Sequence, residues 1–325
     1  MALLFLFMEE INMIRAIVTD PHTAEYFTIK EVEAPRAQPW EAIVQVQAVS
    51  LNRGEVKDAL DQRASTRPGW DFAGVVVEPA QIGTGPQKGA RVVGLLPLGA
   101  WSEQIAAPVS VLAEIPDQVT FAEAATLPVA GLTALNALRK GGWLLGKRIL
   151  ITGSTGGVGL FAHQLAAQSG AFNVGTASTE EKAKLVREAG ADEVVVGASA
   201  MKTARSFGPY DLIIDSVGGD TLAALLPQLA SQGICVAVGF SSSSMATIDM
   251  MNLVTSGGRS LYSFFLGEEL TRRSAADDLD LLARLVASGR LTPRIEVEAS
   301  WTEIGAVTRR LMDRKFSGKA VLWMD

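Results

Sequence analysis

The 325-residue chain has one cysteine, Cys235, and only two histidines, His22 and His163. A single thiol excludes an intrachain disulfide and fits a reducing compartment. One cysteine and two histidines also cannot supply the tetrahedral nitrogen and sulfur set of a zinc centre, so no metal is expected. Basic residues cluster only in pairs such as Arg272-Arg273 and Arg309-Arg310, and the formal net charge is −6. Nucleic acid is therefore not an expected partner. No stretch approaches the roughly 18 consecutive apolar residues of a membrane-spanning helix, so no membrane partner is expected either. The opening MALLFLFMEEIN lacks a basic start and a small-residue cleavage site. It reads as an extension ahead of a strand at Met13, and the expected location is cytoplasmic.

What is present is apolar: 48% hydrophobic against 20% charged residues, enough for well-buried cores, in a length that favours two domains. Up to about residue 119 the pattern is short strands punctuated by glycine and proline, such as EAIVQVQAVSLN, GVVVEP and ARVVGLLP. Thr120 and Glu123 form a capping-box pattern before a helical stretch that Pro128 should kink or break. From Lys147 strands alternate with helices: RILIT, FNVGT, DEVVV, DLIID, GICVAVG and RSLYSFF are the strands. This alternation predicts an α/β unit with a doubly wound parallel sheet. Ser178 and Glu181 suggest the capping box of one intervening helix. The tail, with RIEVEA, a helix from about Trp301 and KAVLWM, returns to the texture of the first third. The nucleotide-type unit is therefore read as inserted in a second domain.

The first strand of that unit runs into ILITGSTGGVG, residues 149–159. Ser154, Gly156 and Gly159 take the three positions of a dinucleotide fingerprint. In such a loop Gly156 lets the backbone approach a pyrophosphate, Gly159 lets the helix pack closely, and Ser154, Thr155, Gly156, Gly157 and Val158 bring helix N–H groups toward the anion. A ligand-free turn is the alternative. The second strand ends in VGTAST, with Ala177 where an NAD site places an acid. Ser178, Thr179 and Lys182 instead offer hydroxyls and a charge to a 2′-phosphate, which points to NADPH. The bland alternative is a helix cap and a solvated lysine.

TGSTGGVG also fits the short-chain dehydrogenase pattern, which requires a tyrosine four residues before a lysine, after the loop. Of Tyr26, Tyr210 and Tyr262 only Tyr26 has that lysine, Lys30, and it precedes the loop. That reading fails. The chain instead resembles the medium-chain dehydrogenase/reductase superfamily, in its zinc-independent quinone oxidoreductase-like branch. The motifs are SLNRGEV (50–56), PGWDFAGVV (68–76), LPVAGLTAL (127–135), GSTGGVG (153–159), EKAKLVREAGADEVV (181–195), DLIIDSVGG (211–219) and GKAVL (318–322). Where zinc members carry a histidine ligand, this chain has Trp70.

The resemblance implies a Rossmann doubly wound parallel sheet (121–267) inserted in a mostly-β GroES-like catalytic domain (1–120 plus 268–325). It implies NADPH-dependent, metal-free hydride transfer to a small-molecule quinone or α,β-unsaturated carbonyl in the cleft between the domains. Asn52 matches a family asparagine beside the nicotinamide and is the catalytic candidate, its amide donating to a carbonyl; an Asx turn is its alternative. Thr133 matches a nicotinamide-side threonine, or is a helix hydroxyl bonded to its own backbone. Gly239 and Phe240 end the fifth strand at the same place, and Phe264 and Phe265 could line the pocket or pack in the core. Asp71 could pair with Arg53 or cap a turn. Gly197 stands where the family often has a tyrosine near the adenosine phosphate, and Arg53 stands where relatives place a proton-donating tyrosine. Solvent is therefore the expected proton source. An open edge on the sixth strand predicts a homodimer. The rival reading is an NADPH-binding protein with little turnover.

Overall fold

The computed structural model describes residues 12–23, 26–61, 65–197, 199–255 and 257–325. The extension read over residues 1–12 thus lies, but for Asn12, outside the described residues. Strands β1 (Met13–Thr19) and β2 (Phe27–Glu33) pair as an antiparallel ribbon. There follow β3 (Glu41–Ser50), α1 (Arg53–Asp61), β4 (Asp71–Glu78), β5 (Arg91–Leu95), β6 (Gln104–Pro108) and β7 (Leu112–Glu114). Helix α2 (Phe121–Ala125) starts at the predicted capping box: the Glu123 N–H donates to Thr120 Oγ1 (3.1 Å), and the Glu123 carboxylate accepts from the Thr120 N–H (2.9 Å). Pro128 lacks the N–H and breaks the regular helix. The chain passes through a π turn at Leu127–Gly131 before α3 (Leu132–Arg139).

The alternating unit then forms as β8 (Arg148–Ile151), α4 (Gly157–Gln168), β9 (Phe172–Ala177), α5 (Glu180–Glu188), β10 (Glu193–Val196) and α6 (Ala200–Ala204). It continues through β11 (Tyr210–Asp215), α7 (Gly219–Leu225), β12 (Leu229–Ala237), α8 (Met250–Val254) and β13 (Ser260–Ser263). The six strands are all parallel, in the order β10-β9-β8-β11-β12-β13. The chain thus winds outward from β8 in both directions, and its switch point lies between β8 and β11, where such sheets open a ligand crevice. One local expectation is corrected. The cap of α5 is Thr179, not Ser178: Thr179 holds the extended conformation (φ −141°, ψ 160°) and accepts from the Lys182 N–H at 3.3 Å.

After α9 (Leu266–Glu269) and α10 (Ala275–Ala287), the strands β14 (Ile295–Ser300) and β15 (Lys319–Trp323) flank α11 (Ile304–Met312). β15 inserts beside β3, giving a second sheet β14-β15-β3-β4-β5-β7 with β6 also paired to β3. The tail therefore completes the sheet begun by the first third, and the parallel unit sits between the two. One apolar core crosses the junction: Ala48, Ala73 and Val321 from the mostly-β part share it with Leu127, Ile149 and Ile214. A second core, around Phe72, Trp101 and Trp301, belongs to the mostly-β part alone.

Candidate active site

The glycine loop leaves β8 with Gly153 at φ +61°, a conformation that L side chains rarely adopt. Ser154, in the first fingerprint position, is buried. Its hydroxyl donates to Ile151 O (2.7 Å) and accepts from the Thr176 N–H (2.9 Å). Its side chain therefore ties β8 to β9 and is not presented to a ligand, although its backbone stays in the loop. Gly156 is the exposed N-cap of α4, with no side-chain cap on the helix. The first N–H groups of α4 are thus left for another acceptor, as in anion-binding helix starts. A Cβ at Gly159 would lie 2.6 Å from both Gly153 O and Ser154 Cα, so here helix and turn are in direct backbone contact.

Beside this loop β9 ends at buried Ala177, followed by exposed Ser178 and Thr179 and half-buried Lys182. The ion pairs within α5 join Lys184 to Glu188 and Arg187 to Glu180. Lys182 is outside them.

On the mostly-β side Asn52 belongs to a buried polar network that the sequence did not disclose. Asn52 Nδ2 donates to Asp71 Oδ2 (2.8 Å) and Glu55 Oε1 (3.1 Å), and its Oδ1 accepts from Lys319 Nζ (2.6 Å). An ammonium can only donate, which fixes the orientation of the amide. Both amide hydrogens are therefore turned inward in this arrangement, away from the expected role of donating to a substrate carbonyl. Glu55 also accepts from the backbone N–H of Asn52 and of Trp70, both at 2.6 Å. The Asn52–Glu55 spacing is half of a capping box, a signal legible in SLNRGEV. Asp71 accepts from the Val129 N–H (3.0 Å) and stands 3.5 Å from Lys319 Nζ. Its partner is thus Lys319. Arg53 instead donates to the carbonyls of Leu311 (3.1 Å) and Met312 (2.7 Å) at the end of α11.

Two carboxyls and one ammonium share this site. Burial, and then the charge of Asp71, push the Glu55 carboxyl up to about 8 against the opposing pull of Lys319 and the N–H donors. Burial also raises Asp71 and lowers Lys319. Removing charges from water accounts for both directions, since each neutral form needs less solvation.

Gly239, Phe240 and Phe264 come together around a cavity of about 280 Å³ that Gly218 and Leu222 also line. Phe265 does not join them in the cavity lining and is 73% exposed. Across the cleft mouth Lys57 Nζ lies 5.5 Å from the centre of the Phe240 ring, and Arg314 donates to Ser241 O. α1 and the segment after α11 thereby meet the loop that follows β12. Thr133 is buried in α3.

His163 and Cys235 are both enclosed. His163 lies in α4 with Nδ1 2.5 Å from Asn173 Oδ1, and burial holds it down to about 4. The Cys235 thiol is pushed up by burial. Among the described residues no three His, Cys, Asp or Glu side chains converge to hold a metal ion, and no helix is long and apolar enough to cross a membrane.

Residues 157–284 match the zinc-binding dehydrogenase family. The chain is 28% identical over 308 residues to quinone oxidoreductase-like protein 2 of Bos taurus, covering 90% of this chain and 88% of the relative. A quinone oxidoreductase of Pseudomonas syringae superposes with a TM-score of 0.85 at 26% identity, over 96% of this chain and 100% of that one. A mycobacterial protein solved in complex with NADPH superposes with a TM-score of 0.83 at 25% identity, over 95% and 100%. Sheet order, glycine loop and these likenesses agree on a NAD(P)H-dependent oxidoreductase, and over nearly its whole length the chain is similar to the quinone oxidoreductase-like branch of the medium-chain dehydrogenase/reductase superfamily.

Proposed function

We propose that the protein uses NADPH to reduce a quinone or an α,β-unsaturated carbonyl without a metal. The observation that carries this reading is the open start of α4 next to a β9 end that has no acid and three groups suited to a phosphate. The backbone of Ser154, Thr155, Gly156, Gly157 and Val158 would hold the pyrophosphate, and Ser178, Thr179 and Lys182 the 2′-phosphate. Asn52, Thr133, Gly239, Phe240 and Phe264 would border the nicotinamide, with Phe265 at most on the rim. The bound cofactor supplies the hydride. A conjugated acceptor spreads the resulting negative charge onto oxygen, so the protein's task is positioning and exclusion of water, and solvent delivers the proton. The zinc in the family's description finds no fitting donor set among the described residues, and no step is assigned to it.

In this reading the nucleotide unit spans residues 121–267, between the two parts of the catalytic domain, and the protein is cytoplasmic. It pairs as a homodimer across β13, whose Leu261 is 43% exposed; Met250, Met251 and Val254 of the preceding helix α8 are exposed as well.

The test is oxidation of NADPH and NADH followed at the nicotinamide band as a quinone and an enone are added. NADPH is expected to be preferred, and Lys182→Ala to lower its affinity by ~10–100-fold with little effect on NADH, since a bond to a charged group contributes about 1.5–3 kcal/mol. Equal loss for both nucleotides would overturn the phosphate role of Lys182. Binding without oxidation of any acceptor would favour a ligand-sensing protein.

A further inference from the structure

Lys319 opens β15, a strand of the mostly-β sheet, yet its side chain is 4% exposed and lies against the nucleotide loop. Its Nζ has three acceptors: Leu51 O (2.9 Å), Asn52 Oδ1 (2.6 Å) and, more distantly, Asp71 Oδ2 (3.5 Å). The first two are hydrogen bonds and the third an ion pair, and together they hold the ammonium in place. Asp71 in turn holds the Val129 N–H of the π turn that leads into α3. The residue before the lysine is bound as well: the Gly318 N–H donates to Thr155 O (2.8 Å), and Gly318 bridges to Gly156.

The stem of Lys319 explains a feature of the glycine loop that phosphate binding does not. A Cβ at Gly157 would lie 2.6 Å from Lys319 Cδ and 3.3 Å from Ala130 Cβ. With its tip fixed at three acceptors, the lysine cannot simply swing aside. The second glycine of the Gly-Gly pair is therefore matched to a lysine from the other end of the chain.

We propose that Lys319 is a positioning residue that couples the glycine loop to Asn52, setting the approach of the acceptor-side amide to the nicotinamide end of the nucleotide site. This rests on the hydride-transfer reading above. Both contacts belong to one side chain: the stem reads where the loop starts α4, and the tip fixes which way the Asn52 amide faces. A displacement at Gly157 thereby reaches Asn52 through a single rigid connection.

The experiment compares wild type, Lys319→Met and the double variant Asp71→Asn/Lys319→Met. Each is measured for NADPH affinity by fluorescence titration, kcat and KM with one quinone acceptor, and the primary isotope effect with deuterated NADPH. Lys319→Met alone strands two buried carboxyls and would lower stability. The double variant removes the buried ion pair as a unit and keeps the protein folded. If Lys319 positions, kcat per folded molecule falls ~10–100-fold in both variants, as a misplacement of about 1 Å does. NADPH affinity then stays within a few-fold, and the isotope effect rises as hydride transfer becomes slower. If the double variant recovers wild-type kcat, Lys319 serves only charge balance and the proposal is overturned. A wild type that binds NADPH but turns over no acceptor overturns the oxidoreductase reading itself, an outcome distinct from the first.

Discussion

Gly156→Ala is expected to leave the protein as stable as the wild type while weakening NADPH binding by ~10-fold or more; Gly159→Ala should do the reverse, losing stability first. The two glycines are three residues apart and differ in what surrounds them. Gly156 has φ −79°, ordinary for any L residue, and the one atom near a new Cβ is Gly153 O at 3.3 Å. Reduced freedom of the unfolded chain even favours alanine there by about 0.4–1 kcal/mol. The methyl would, however, stand at the N-cap of α4, where a pyrophosphate must come within hydrogen-bond distance of the backbone. Each lost bond to a charged group is worth about 1.5–3 kcal/mol, so a tenfold weakening is the low end. At Gly159 the new Cβ meets Gly153 O and Ser154 Cα at 2.6 Å and Ser154 O at 2.7 Å. These are backbone atoms of the turn itself, and overpacking of this kind costs about 1–3 kcal/mol or more. Thermal melts and fluorescence titrations of both variants are sufficient. Wild-type NADPH affinity in a folded Gly156→Ala protein would mean that the loop is only a turn.

From Glu55 and His163 taken alone, stability is expected to be nearly level between about pH 4.5 and 6.5, and to fall as pH rises from 6.5 to 8. Two buried groups set this shape. Glu55 is raised from 4.5 to about 8. The folded state keeps its proton in that window and the unfolded chain does not, so its contribution is complete below 4.5 and is lost as pH rises through about 8. His163 is lowered from 6.5 to about 4. Here the unfolded chain holds the extra proton, so the contribution is complete above 6.5 and is lost as pH falls toward 4.

Each group changes stability by about 1.4 kcal/mol per pH unit within its window. Their slopes cancel where the windows overlap, leaving a decline of about 2 kcal/mol from pH 6.5 to 8. Asp71 shifts in the same sense as Glu55, and Lys319 in the opposite sense on the alkaline side. The decisive quantity is therefore the difference between variant and wild-type curves from urea unfolding at a series of pH values. Glu55→Gln must present an amide NH₂ to N–H donors at Asn52 or Trp70, which lowers the whole curve by about 1–3 kcal/mol. It should also abolish the alkaline decline. His163→Gln should instead remove the acid limb and leave a downward slope throughout. A Glu55→Gln curve parallel to wild type from pH 6.5 to 8 would show that Glu55 is charged in the fold.

Much of the architecture was legible in local patterns. The alternation from Lys147 onward, with β-branched runs and capped helices, gave the parallel sheet, because strand and helix periodicities are properties of short windows. Thr120 with Glu123 and the break at Pro128 were equally local, and both formed as read. The cap of α5 moved from Ser178 to Thr179 because two adjacent hydroxyl residues compete for one backbone geometry, which sequence does not specify. Phe264 and Phe265 separated for a related reason. They follow the edge strand β13, and only Phe264 turns toward the cavity beside Gly239.

Local sequence was enough for the sheet class, the glycine loop as a strand-to-helix turn, the lack of an acid at the end of the second strand, and the scarcity of metal ligands. Each depends on residue type within a few positions of a recognisable element. Tertiary packing was needed to show the partner of Asp71, the inward turn of the Asn52 amide, the tie made by Ser154 and the close approach at Gly157. Glu55, Asp71 and Lys319 stand far apart in the chain and carry no shared motif. They meet because β15 enters the sheet beside β3, and once buried each needs a protein partner: Lys319 pairs with Asp71, and Asn52 links Lys319 and Asp71 to Glu55.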